Sequence, residues 1–173
     1  EIAAELLRPT CLYLFWFAQD VGRGLTALVT RGISIMLVCW LVFAIKLPSD
    51  VWHFLTILLW LGLAMCISFA FRFMVNLAAF WSPDARGMAR FAFIVLGFAS
   101  GFLMPLRLFP DWLQQFLAFT PFPHMMNSTI EIYMGSSRWL ELLALQGFWA
   151  IVLALAAQLI LSRGMSRLVI LGG

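Results

Sequence analysis

The stretch VWHFLTILLWLGLAMCISFAF, residues 51–71, decides the class of fold. It runs for 21 residues without an Asp, Glu, Lys or Arg. Coiled as an α-helix at 1.5 Å per residue it is about 31 Å long, which is the thickness of the hydrocarbon core of a bilayer. A barrel strand would instead alternate apolar and polar residues over about ten positions and then turn. No such alternation is present, so the stretch reads as a membrane-spanning helix.

The rest of the chain agrees with this reading. Of its 173 residues, 64% are hydrophobic and 11% charged. A water-soluble domain needs more charge than that to cover its surface, whereas a surface facing lipid needs none. The expected fold is an all-α integral membrane bundle of one transmembrane domain, with no repeat and no separate soluble domain. Cys11, Cys39 and Cys66 are odd in number and widely spaced, which suits packing rather than a disulfide framework or a metal site. The first residue is Glu1, and no signal peptide opens the chain, so an N-terminal part is expected to be missing.

Four spans are expected, at residues 25–47, 51–81, 88–104 and 139–161. Lys46, Pro48, Ser49 and Asp50 close the first, and Asp50 suits the cap of the second. Arg72 then snorkels to an interface, and residues 82–87, SPDARG, form a turn. Gly135 ends a short helix before Ser136 or Ser137 caps the last span. Sorted by side, eight arginines (8, 23, 31, 72, 86, 90, 163 and 167) face Lys46, Arg107 and Arg138. By the positive-inside rule this puts both ends of the segment in the cytoplasm.

Two segments do not fit a plain bundle. Residues 1–20 are expected to precede the first span as a cytoplasmic segment; in its opening EIAAELLRP, 1–9, the polar Glu1, Glu5 and Arg8 share one stripe, Ile2 and Leu6 lie on another face, and Pro9 ends the helix. Such a helix either rests among lipid headgroups or docks a cytoplasmic partner. Residues 105–138 form the second segment. Within FPDWLQQFLAF, Asp111, Gln114 and Gln115 line one side and Trp112, Leu113, Phe116 and Leu117 the other. That helix is too short to cross and too apolar to float, so it lies in the outer interface or dips in and returns. Thr120-Pro-Phe-Pro123 breaks it, and a second short helix follows to Met134. The pair suits an extracytoplasmic lid.

The succession Ser100-Gly101, Pro105-Leu106, Phe109-Pro-Asp-Trp-Leu113, Pro121-Phe122 and Ile132-Tyr-Met-Gly135 resembles the membrane subunits of type-2 ABC exporters. The opening EIAAELLRP and the closing RLVILGG resemble the same family's cytoplasmic loop and C-terminal tail. Members often carry proline where this chain has Thr129. They usually have six spans, so the resemblance makes these spans three to six. It further implies a permease in the bacterial cytoplasmic (inner) membrane, paired as a homo- or heterodimer with a second permease subunit. Separate nucleotide-binding ATPase subunits would hold ATP and Mg and dock on Glu1, Glu5, Leu6 and Arg8. The lid, with Phe109, Asp111, Trp112, Phe116 and Glu131, would cap the exit path for a hydrophobic or amphipathic compound. Membrane lipid is an expected partner and nucleic acid is not.

Gly97, Ser100 and Gly101 form a small-residue face open to two readings, close packing within one chain or a dimer interface. Glu131 and Arg107 either pair within the lid or stay solvated, while the lone His53 and His124 suit structural or interfacial places. No catalytic, cofactor-binding or metal-ligating set is expected: the sequence has no GxxxxGK[ST] loop and no HExxH. The rival reading is a non-transporting membrane scaffold or assembly subunit. A neighbouring reading frame for an ATPase subunit separates the two.

Overall fold

The computed structural model describes residues 12–43, 51–78, 81 and 85–171. The docking segment 1–9, the 46–50 connection and Ser82, Pro83 and Asp84 of the expected turn lie outside the described residues. The chain divides into two compact units, Glu1–His53 and Phe54–Gly173.

The first unit is a single rod, α1 (Leu12–Ala27), a wide π-helical turn (Leu28–Gly32) and α2 (Ile33–Phe43). The helix starts well before Leu25 because Asp20 and Arg23 stop an apolar stretch but not a helix. In the wide turn the Ile33 N–H donates to the Leu28 carbonyl, five residues back instead of four. Leu25, Val29, Ile33, Met36, Leu37 and Leu41 are exposed, as a rod in contact with lipid requires.

The second unit begins within α3 (Val51–Leu77) and continues through α4 (Ala85–Ala99), α5 (Asp111–Ala118), α6 (Asn127–Tyr133) and α7 (Trp139–Leu171). Short 3-10 turns at Leu106–Leu108 and Pro123–Met125 flank α5. Among the described residues three helices, Leu12–Phe43, Phe54–Leu77 and Trp139–Met165, are long and apolar enough to cross a membrane. The apolar part of α4, Gly87–Ala99, is shorter than a span.

The core of this unit follows helical spacing. Trp60, Ala64, Ile67 and Ala70 bury one face of α3, and Leu142, Gln146, Leu153, Ala157 and Leu161 bury one face of α7. Trp60 packs with Ile132 and Leu142, while Ile67 and Ala70 pack with Leu153, Met125 and Trp149. The short elements are thereby wedged between the two long helices. Phe71 meets Phe122 edge to face at 5.4 Å between ring centres.

Both ends of the lid are set by glycines in the left-handed region. Gly101 (φ 82°) follows α4, with its N–H on the Phe98 carbonyl. Gly135 (φ 81°) follows α6, where the Gly135 and Ser136 N–H groups cap the Ile132 and Glu131 carbonyls. Ser136 Oγ then accepts the Arg138 N–H at 3.3 Å, and the Arg138 carbonyl takes the first bond of α7.

Candidate functional site: a lid latched to the last long helix

The lid is a folded object. Pro105 and Pro110 hold extended backbone at φ −54° and −57°, ψ 134° and 148°, and each stands just before a new helical turn. The Pro110 carbonyl accepts both the Leu113 and Gln114 N–H groups, and the Gln114 side-chain amide folds back to the Phe109 carbonyl at 2.8 Å. Asp111 lies in the first turn of α5, where a carboxylate complements the helix dipole. Thr120 Oγ1 closes the far end on the Leu117 carbonyl at 2.7 Å. Pro121 and Phe122 accept the next two N–H groups, from His124 and Met125.

The apolar side of α5 divides in two. Leu117 is buried, whereas Trp112 (69% exposed), Phe116 (63%) and Phe119 (83%) form an outward aromatic stripe at i, i+4 and i+7. Glu131 is exposed and accepts a hydrogen bond from Asn127 Nδ2 at 2.6 Å. It makes no salt bridge with Arg107 among the described residues. The ion pair of this region is Arg138 with Glu141, two short bonds of 2.7 and 2.9 Å on the surface. Such a pair contributes little to stability in water.

The centre of the lid is polar and buried. His124 is 4% exposed, Ser128 2% and Gln146 0%. His124 Nδ1 and Ser128 Oγ are 2.9 Å apart, and Gln146 Nε2 donates to the His124 main-chain carbonyl at 2.8 Å. The second bond ties the break between α5 and α6 to the second turn of the apolar helix α7. Burial pushes the His124 imidazole below its ordinary value, so it is neutral at pH 7. Around this latch Trp60 Nε1, His124 Nε2, Thr129 Oγ1 and Gln146 Oε1 are buried without a protein partner.

The glycine face serves turns within the chain. A Cβ on Gly97 would come within 2.8 Å of Leu103 Cδ1, because Leu103 folds back and its N–H bonds to the Gly97 carbonyl. Gly101 provides the positive φ, and Ser100 is buried at the end of α4. Among the described residues no group of three or more His, Cys, Asp or Glu could hold a metal. Glu1, Glu5, Leu6 and Arg8 lie outside the described residues. Gln146, which the sequence reading passed over, is the residue that anchors the lid. An amide in an otherwise apolar span was its only signal.

The three long apolar helices among the described residues are those of a multi-pass helical membrane protein. The family model for ABC-2 family transporter proteins matches residues 1–172, and the chain belongs to that family. No curated protein and no solved structure matches the chain.

Proposed function

We propose that the chain is the permease subunit of an ABC exporter. It moves a hydrophobic or amphipathic compound outward across the bacterial cytoplasmic membrane. The observation that carries this reading is the family match over residues 1–172, on a chain whose described helices include three of spanning length. With no phosphate loop of its own, the subunit takes its energy from separate ATPase subunits, which bind ATP and Mg.

In this scheme the ATPase subunits dock on Glu1, Glu5, Leu6 and Arg8. Their closure on ATP tilts the spans and opens a path between two permease chains alternately inward and outward. Both ends of the segment are cytoplasmic, and the lid is on the opposite side with Trp112 and Phe116 at headgroup depth. Gly97, Ser100 and Gly101 are proposed as a helix-packing or dimer-interface face.

The test is co-expression of the full chain with the ATPase subunit encoded beside it, followed by purification and an ATP hydrolysis assay. The expected result is co-purification, with hydrolysis that depends on the permease and is lost in a Leu6→Asp, Arg8→Glu variant. If no ATPase subunit co-purifies, the scaffold reading replaces this one.

A further inference from the structure

The first rod carries a feature that transport through a lid does not use. Gln19, Arg23, Thr26 and Thr30 follow one another at intervals of four, three and four, so they lie on one helical face. In an uninterrupted α-helix Arg31 would point about 80° away from Arg23. The wide turn Leu28–Gly32 underwinds the rod and carries Arg31 back toward the stripe. Together with Gly22 and Ala27 these side chains line a shallow groove of about 530 Å³.

The chemistry of the groove is asymmetric. Thr26 Oγ1 donates to the Gly22 carbonyl at 2.8 Å and Thr30 Oγ1 to the Thr26 carbonyl at 2.7 Å. Each hydroxyl has therefore spent its hydrogen on the backbone and offers only lone pairs to a ligand. The donors are the guanidinium groups of Arg23 and Arg31. Both residues are exposed, and neither has a salt bridge among the described residues.

Depth makes the missing counter-charge costly. Residues 25–43 form a mostly apolar stretch about 28 Å long whose one charged residue, Arg31, lies about 9 Å inside it. A cation there needs an anion, water or an escape to the interface. Side chains on a helix tilt toward its N-terminus, so the Arg31 head is carried down toward Thr26 and Arg23. Arg23 and Arg31, about 12 Å apart along the axis, both line the groove, with the Thr26 and Thr30 hydroxyl acceptors between them. Leu25, Val29 and Ile33, exposed beside the groove, offer acyl chains a surface that a free anion would not need.

We propose that this groove binds an anionic glycerophospholipid of the cytoplasmic leaflet. Its phosphate lies on Arg23 and Arg31, and its headgroup hydroxyls donate to Thr26 and Thr30. The inference rests on the N-terminal end of the rod being cytoplasmic, and it is independent of cargo and of any ATPase subunit.

The test uses the full purified chain alone in detergent, equilibrated with phosphatidylglycerol or phosphatidylcholine, with bound lipid counted by native mass spectrometry. Phosphatidylglycerol is retained preferentially. That preference falls about fivefold for Arg23→Gln or Arg31→Gln and about 25-fold for the pair. Arg107→Gln, outside the groove, leaves it unchanged. Size-exclusion profiles and helical circular dichroism like those of the wild type establish that the variants are folded. Equal retention of the two lipids by the wild type, or a full preference in the double variant, overturns the proposal. Displacement of the lipid by millimolar glycerol phosphate also overturns it, by making the groove a site for soluble anions. Because no ATPase is present, none of these outcomes bears on the exporter reading.

Discussion

Replacing Gln146 by Leu separates a latch from ordinary core packing. The side chain is fully buried, and its Nε2 donates to the His124 carbonyl while its Oε1 has no protein partner. Leucine has similar bulk and neither polar atom. Two effects of about 1–3 kcal/mol oppose each other: a buried carbonyl loses its donor, and a buried unpaired oxygen is removed. They act on different equilibria. The orphaned His124 carbonyl recovers a partner only when the lid lifts, so the cost falls on lid seating alone. Removal of Oε1 favours the α3–α7 packing whether the lid is seated or not. The expected result is amide exchange over residues 121–130 accelerated about 5- to 150-fold, with the melting temperature in detergent nearly unchanged. Hydrogen exchange read by mass spectrometry, with the outward-facing Gln158→Leu as control, measures both. Exchange in the lid that is unaltered, or a melting temperature that falls in step with it, refutes the latch.

Protonation of His124 is the natural companion test. Its pKa is lowered by burial, so the unfolded or lifted state binds the proton more readily; seating is complete above the ordinary value of 6.5 and weakens as pH falls below it. Lid exchange corrected for intrinsic chemistry rises from pH 7.5 to pH 5 in the wild type and loses that rise in His124→Gln. The two left-handed glycines give a graded pair. Gly101→Ala meets Leu106 Cγ at 3.3 Å as well as backbone strain, whereas Gly135→Ala has open space and pays only about 1–2 kcal/mol for its φ. Thermal unfolding in detergent therefore places Gly101→Ala below Gly135→Ala, and the reverse order contradicts the described turn.

How far the sequence could be read depended on which physical signal each element carries. The α3 and α7 spans were legible because an unbroken apolar run of bilayer length has few other uses. The lid's breaks were legible because Pro121, Pro123 and Gly135 restrict the backbone whatever surrounds them. The early start of the first rod was not, since hydropathy registers where a helix meets lipid and Asp20 and Arg23 end that region without ending the helix. The wide turn at Leu28–Gly32 leaves no compositional trace. Glu131 could have been paired correctly from spacing, because Asn127 stands four residues before it on the same short helix. Gln146 and Gln158 look alike as single amides in an apolar helix. Only the phase shared with Leu142, Leu153 and Ala157 shows that the first faces inward.

The position of the lid is therefore a matter of polar rather than apolar chemistry. Burial of Leu117 and Ile132 is not directional, so it holds the lid down without fixing its register. The directional contact between the lid and α7 is the bond from Gln146 to the His124 carbonyl, which a lifted lid exchanges for water. A neutral amide–carbonyl bond held out of water is strong enough to select one seating and weak enough to break when the long helices move. A purely apolar latch would let the lid slide along α7. The helix pair accordingly presents its aromatic stripe of Trp112, Phe116 and Phe119 outward, where precise registry is unnecessary, and its register on α7 is set by the His124 main-chain carbonyl on Gln146.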